Sequence, residues 1–346
     1  MDNLFVNGPL ILGGLILVFA FSNGFRDSST IVATVVSTKT MSPRSAFFLS
    51  SVFEFCGVLF FGSAVVLTIS RGLFGPILSG PKSDLFIVLL SATGAAVLWG
   101  GISWWRAWPI SNNHAIFGGL VGSSLGIWGP RFFQNFTFTA ILLVLFLSPI
   151  AGFLLSFVTT EILQRLGEWL TPHVKGVFEK LHLLACMTVS FAHGFNDGQM
   201  VISLMVLAFG LARAGGEVGA APTVIVPFGV RFAVALAISL GVLVGGYRIL
   251  RKLGMSFYRI RLNQGVGALF SSAGTVLACS LAGFPVSTTQ VITGSIVGAG
   301  VAKNPRSVRW KIAEEIVVAW CVTLPVVALI AGVAAWLLKE GLVRIK

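Results

Sequence analysis

Charge is what this chain has least of. Asp, Glu, Lys and Arg make up 10% of its 346 residues, whereas a soluble domain carries about 25%. With 55% apolar residues and a mean hydropathy of +0.92, a soluble globular class is excluded and an all-α polytopic membrane protein is expected. Cysteine is scarce too: Cys56, Cys186, Cys279 and Cys321 each stand alone in apolar sequence, without metal-ligand spacing or a disulfide framework. Missing as well are a nucleotide-binding glycine loop and a Cys/His nucleophile pair, so neither an enzyme nor a cofactor is expected. The net charge of +12 is not gathered into a basic run on a soluble segment, which argues against a nucleic-acid partner. The N-terminus lacks a basic n-region and a small-residue cleavage site, so residues 10–31 read as a retained first span.

What is present is a series of long apolar runs. Ten can be drawn, at 9–36, 46–69, 85–105, 109–128, 136–160, 184–210, 223–247, 263–282, 285–302 and 313–338. Runs continuous over about 20 residues fit helices, not the alternation over about ten residues of a membrane barrel. The fourth and ninth are shorter, glycine-rich and begin with Pro109 and Pro285, so broken or re-entrant helices are expected there. The 40 glycines and 29 phenylalanines suit close helix packing against a lipid bilayer, and the small-residue faces are compatible with a homodimer. With the N-terminus outside, 15 of the 24 basic residues fall in inner loops, which predicts both termini outside in a multi-pass plasma-membrane protein, or inner-membrane if bacterial. Residues 161–182 form the one extended polar segment. Leu163, Leu166, Trp169, Leu170, Val174, Val177, Phe178 and Leu181 recur there at helical spacing and predict an amphipathic cytoplasmic connector between residues 1–160 and 183–346, with His173 and His182 solvated.

Two motifs recur across that connector. Ser22-Asn23-Gly24-Phe25-Arg26-Asp27-Ser28-Ser29 returns as Ala192-His193-Gly194-Phe195-Asn196-Asp197-Gly198-Gln199, with Gly24 and Gly194 170 residues apart. Pro109-Ile110-Ser111-Asn112-Asn113-His114 returns as Pro285-Val286-Ser287-Thr288-Thr289-Gln290 at an offset of 176. Five segments per half is odd, so the halves enter the membrane from opposite sides: a 5+5 inverted-topology repeat, in which substrate and coupling-ion sites lie near the midplane.

A carboxylate at membrane depth is costly and points to function, and here it occurs twice, as Asp27 and Asp197. The second motif reads as a helix N-terminus, where free N–H groups and the helix dipole favour anions. Ser111, Asn112, Asn113, Ser287, Thr288 and Thr289 are therefore candidate donors to a tetrahedral oxyanion. An anion beside two carboxylates is repelled unless a Na⁺ or a proton neutralises them, which couples the two fluxes. Asn23, Asn196, Gln199, Ser28, Ser29 and Thr30 could add neutral oxygens to a Na⁺ site near Asp27 and Asp197 or orient a protonated Asp. Glu54 and Arg231, near span ends, read as interfacial or paired, and Trp99, Trp104, Trp105 and Trp108 as interface anchors.

At these residues the chain resembles the inorganic phosphate transporter (Pit) family of secondary carriers. Asn23-Gly24-Phe25-Arg26-Asp27 with Val32-Ala33-Thr34-Val35 is similar to its first signature, Ala192 to Gln199 to its second, and Pro285-Val286-Ser287-Thr288-Thr289 and Ala319-Trp320-Cys321-Val322-Thr323-Leu324-Pro325 to later elements. The resemblance implies inorganic phosphate as substrate and symport with Na⁺ or H⁺ by alternating access. Three departures stand out: Arg26 where Asn or His is usual, Thr30 where Asn is usual, and Gln290 in place of His. Arg26 is expected either to pair with Asp27 or to reach the anion, weakening a coupling site in the first half. Another oxyanion such as sulfate, or a passive anion channel, is the alternative reading.

Overall fold

A computed structural model describes residues 2–60, 62–75, 81–108, 110–130, 136–167, 175–212, 226–246, 250 and 260–344. Among them every regular element is helical. The helices are α1 (Asp2–Ser37), α2 (Pro43–Leu59), α3 (Ala64–Leu67, running into a π turn over Thr68–Leu73), α4 (Lys82–Trp105), α5 (Asn112–Trp128), α6 (Phe136–Gly167), α7 (Lys175–Ala212), α8 (Phe228–Val244), α9 (Leu262–Leu281), α10 (Thr288–Lys303) and α11 (Trp310–Arg344). Pro109 and His173 lie outside the described residues.

Each expected apolar segment contains a helix, but not every helix is a full span. Six are long and apolar enough to cross a membrane: α1, α4, α6, α7, α9 and α11; a seventh is counted if α2 and the α3 segment, bent by 60°, are one span. Helices α5, α8 and α10 have 17, 17 and 16 residues, about 25 Å at 1.5 Å per residue against about 30 Å of hydrocarbon. Central α7 has 83% of its most apolar stretch buried, whereas α6 and α11 have 28%. Leu143, Leu147 and Leu154 on α6, and Val318, Leu329 and Trp336 on α11, are exposed. Such a belt of apolar side chains is stable only against lipid.

Packing follows the glycines. A Cβ on Gly24 of α1 would run into the Ile238 carbonyl of α8, and one on Gly241 of α8 into the Phe21 carbonyl of α1. The same exchange joins α7 to α2: Gly194 lies on the Glu54 carbonyl and Gly57 on that of Phe191. Further along, Gly118 and Gly122 of α5 lie on the backbone of Leu324 and Ala328 in α11, while Gly294 and Gly298 of α10 lie on that of Pro149 and Phe153 in α6. Backbones approach this closely only where no side chain intervenes. Helix α6 therefore packs on α10 and α11 on α5, so the early and late parts of the chain interlock.

The connector differs from expectation. Residues 161–167 continue α6 and 175–182 open α7, with 168–174 outside the described residues, so Leu163, Leu166, Val177, Phe178 and Leu181 belong to the ends of two long helices. His182 is consequently buried, not solvated. Its Nε2 lies 3.0 Å from Thr34 Oγ1, its Nδ1 3.4 and 3.3 Å from the hydroxyls of Thr38 and Thr40, and Gly265 leaves room for the ring. Of the tryptophans, Trp105 is exposed with Arg106 over its ring, whereas Trp99 is buried and donates to Thr323 Oγ1.

The close approaches make a direct test. Gly122→Leu and Gly298→Leu are each expected to cost about 1–3 kcal/mol or more by overpacking, read as a fall in melting temperature in detergent. Gly94→Ala, with open space around its Cβ position, is expected to be neutral or stabilising.

Candidate substrate and cation site

The site is assembled around Asp197, which is 1% exposed. Its Oδ2 accepts from Asn23 Nδ2 of α1 at 2.7 Å, and its Oδ1 from Asn196 Nδ2 and, at 3.4 Å, from Asn113 Nδ2 of α5. Asn23 Oδ1 in turn accepts from Asn112 Nδ2 at 2.6 Å. Asn113 Nδ2 and Asn196 Nδ2 also donate to the Val286 carbonyl, and Asn196 Oδ1 accepts from Val286 N–H and from Ser280 Oγ. Asn196 thus clamps both faces of the residue that leads into α10. One carboxylate holds the starts of α5 and α10 against the motif helices α1 and α7.

The two starts are built alike. Ser111 is the N-cap of α5 and its Oγ accepts from His114 N–H; Ser287 is the N-cap of α10 and accepts from Gln290 N–H. A Ser at this position satisfies one of the free N–H groups of the first turn. Beyond the caps, Thr288 Oγ1, Thr289 Oγ1, Asn112 Oδ1 and Asn113 Oδ1 are buried without a partner. Four such atoms fall on the two first turns, whereas buried polar atoms are ordinarily hydrogen-bonded.

Beside this lies a charge cluster that the sequence motifs reveal only in part. His193 Nδ1 is 2.7 Å from Glu54 Oε2, and its Nε2 is 3.2 Å from Asp197 Oδ2 and 3.5 Å from Asp27 Oδ2. Ligand atoms of Asp27, His193 and Asp197 lie within 4.8 Å of one another. Three buried carboxylates converging on one imidazole demand positive charge at that corner, whether from an imidazolium or from a bound cation. The two Asp oxygens fit a hard cation such as Na⁺, which takes oxygen ligands, better than the imidazole nitrogen does.

Several expectations are refined. Arg26 forms no direct ion pair with Asp27: its Nε donates to the Ser22 carbonyl, its Nη1 to Ser103 Oγ of α4, and the guanidinium packs on Gly100, with Nη2 buried without a partner. Successive residues on a helix diverge by about 100°, so Asp27 facing His193 turns Arg26 away. Gln199 is spent on structure, accepting from Val65 N–H at the start of α3 and donating to the Phe195 carbonyl. The amides of Asn112 and Asn113 give N–H groups to Asn23, Asp197 and Val286, while their Oδ1 atoms are without a partner. Glu54, expected to be interfacial or paired, is paired: it is fully buried against His193 in the cluster, and the signal for it was a lone carboxylate inside the run 46–69. Ser28 and Ser29 hydroxyls donate to backbone carbonyls, and Thr30 Oγ1 is buried without a partner.

The model of the phosphate transporter family matches residues 23–170 and 167–331. The chain belongs to the phosphate transporter family. Among its relatives, a Rhizobium meliloti protein named "Probable low-affinity inorganic phosphate transporter" is 36% identical over 330 residues, covering 94% of this chain and 95% of the relative. A Bacillus subtilis protein of the same name is 32% identical over 324 residues, covering 93% and 95%. A solved structure named "The sodium-dependent phosphate transporter" superposes with a TM-score of 0.84 at 26% identity, over 96% of this chain and 99% of that one. As a phosphate transporter family member with six long apolar helices, the chain is a multi-pass protein of the plasma or inner membrane.

Removing one partner of a buried charge cluster is more damaging than never having had it. Glu54→Leu is expected to lower stability by about 3–5 kcal/mol and to reduce phosphate uptake in proteoliposomes at least tenfold, whereas Arg231→Leu, half-buried over the Phe228 ring, leaves uptake within about twofold.

Proposed function

We propose that this protein imports inorganic phosphate by cation-coupled symport with alternating access, and that its halves are 5+5 inverted-topology repeats. The observation that carries the reading is the pair of helix starts, α5 and α10, brought together at one buried carboxylate with unpartnered hydroxyls on the first turn of α10. Two N-terminal dipoles and the Thr288 and Thr289 hydroxyls offer an oxyanion hydrogen bonds without a fixed positive charge. A low-charge site of this kind releases its ligand as readily as it takes it up, as a carrier must.

Coupling follows from Asp27 and Asp197. With both ionised, the neighbouring anion position is repulsive; with a cation beside them it is attractive, so anion and cation bind together. Likeness to a transporter named as sodium-dependent supports Na⁺ as that cation, and His193 is the group through which H⁺ would act instead. The glycine contacts that join α1 to α8 recur between α7 and α2, and those of α5 with α11 recur between α10 and α6. Two such interlocked units, exchanging which side they close, would supply alternating access.

Uptake of labelled phosphate into proteoliposomes, with Na⁺ and proton gradients imposed separately, tests the reading. Accumulation against a gradient driven by one cation, and its loss in Asp197→Asn, is the expected result. Equilibration without accumulation would mean a passive channel.

A further inference from the structure

A cavity of about 390 Å³ lies between the end of α4 and the first turns of α11, walled by Trp99 and Trp108 on one side and by Lys311, Glu314 and Glu315 on the other. That volume suits a small ligand or a lipid headgroup. The aromatic wall is held in place. Trp99 Nε1 donates to Thr323 Oγ1 of α11 at 3.4 Å, the two indole rings are 6.4 Å apart, and the Arg106 guanidinium lies 5.6 Å from the centre of the Trp108 ring.

Charge around the cavity is balanced but unpaired. Arg106, Lys311, Glu314 and Glu315 are all exposed, and among the described residues no ion pair joins any of them to an opposite charge. Two carboxylates at the wall repel free phosphate, and two cations beside them repel a simple amine. A ligand carrying both signs answers both pairs. Lys311, Glu315, Val318 and Val322 also line up on one stripe of α11 at positions i, i+4, i+7 and i+11. Over about 16 Å that stripe passes from charged side chains to Val318 and Val322, which line the same cavity and are 54% and 40% exposed on the lipid-facing side of α11. The cavity is therefore continuous with the apolar belt, and what fits it is charged at one end and apolar at the other.

We propose that this cavity is a specific site for a zwitterionic phospholipid bearing a primary amine, of the phosphatidylethanolamine type. The ammonium group donates to Glu314 and Glu315, Arg106 and Lys311 hold the phosphodiester, and the acyl chains follow Val318 and Val322. A primary amine is preferred to a quaternary one because the carboxylates take charge-assisted hydrogen bonds from N–H groups, which a choline headgroup lacks.

The test titrates the full chain in detergent with phosphatidylethanolamine, phosphatidylcholine and phosphatidylglycerol of identical acyl chains, and reads the bound complexes by native mass spectrometry. Phosphatidylethanolamine is expected to bind at least about tenfold more tightly than either of the others, the size of two exposed charge contacts acting together. Glu314→Gln combined with Glu315→Gln is expected to abolish that preference, whereas Glu340→Gln, exposed at the far end of α11, leaves it unchanged. Wild-type protein that binds phosphatidylcholine or phosphatidylglycerol within threefold of phosphatidylethanolamine would overturn the proposal, and so would a double variant that keeps the preference. Glycerophosphoethanolamine, the headgroup without chains, is expected not to displace the lipid; displacement at equal concentration would assign the cavity to a soluble phosphoamine and overturn the lipid.

Discussion

A carboxylate buried among helices has to be surrounded by donors, and the rest of this site depends on how that need is met at Asp197. Asn23, Asn113 and Asn196 all give it an N–H, and each comes from a different place in the chain: α1, the start of α5, and the turn of α7 before Asp197 itself. Once those amides are committed, the carbonyl ends of Asn23 and Asn196 are committed too. Asn196 locks the backbone at Val286, Asn23 takes up Asn112, and the starts of α5 and α10 cannot drift from the motif helices without breaking a chain of buried hydrogen bonds.

Packing makes that arrangement possible. Inside a bilayer, burying apolar surface gives helices little reason to associate, so they rely on close van der Waals approach. The glycines at 24, 57, 194 and 241 bring α1 and α7 onto α8 and α2 backbone to backbone, and this depth of contact is what places Glu54 of α2 against His193 of α7. The same device couples each short helix to the outermost helix of the opposite half. A charge cluster of Asp27, Glu54, His193 and Asp197 on such a frame gives the bundle a polar centre in which three buried carboxylates meet one imidazole.

Much of this is legible in the sequence. Intramembrane carboxylates in duplicate, Pro-led polar helix starts at one offset, and ten apolar runs together place Asp27, Asp197, Asn23, Asn196 and both serine caps in one site. Side-chain direction is what a linear reading misses. Arg26 and Asp27 are neighbours in sequence yet face different helices, Gln199 lies in the motif yet serves the bend before α3, and Asn112 and Asn113 give N–H groups to Asn23, Asp197 and Val286 within the protein. Glu54 has no motif around it, and its role depends on a contact 139 residues away in sequence. His182 would be solvated if residues 161–182 formed one surface helix, whereas it lies two turns inside α7.

The proposed transport requires an anion held between the first turns of α5 and α10. Soaking crystals of the protein with arsenate and locating the arsenic by anomalous scattering tests this most directly. The expected result is a peak between Asn112 and Asn113 on one side and Thr288 and Thr289 on the other. A principal peak elsewhere, such as beside Arg26 and Ser103, would contradict it.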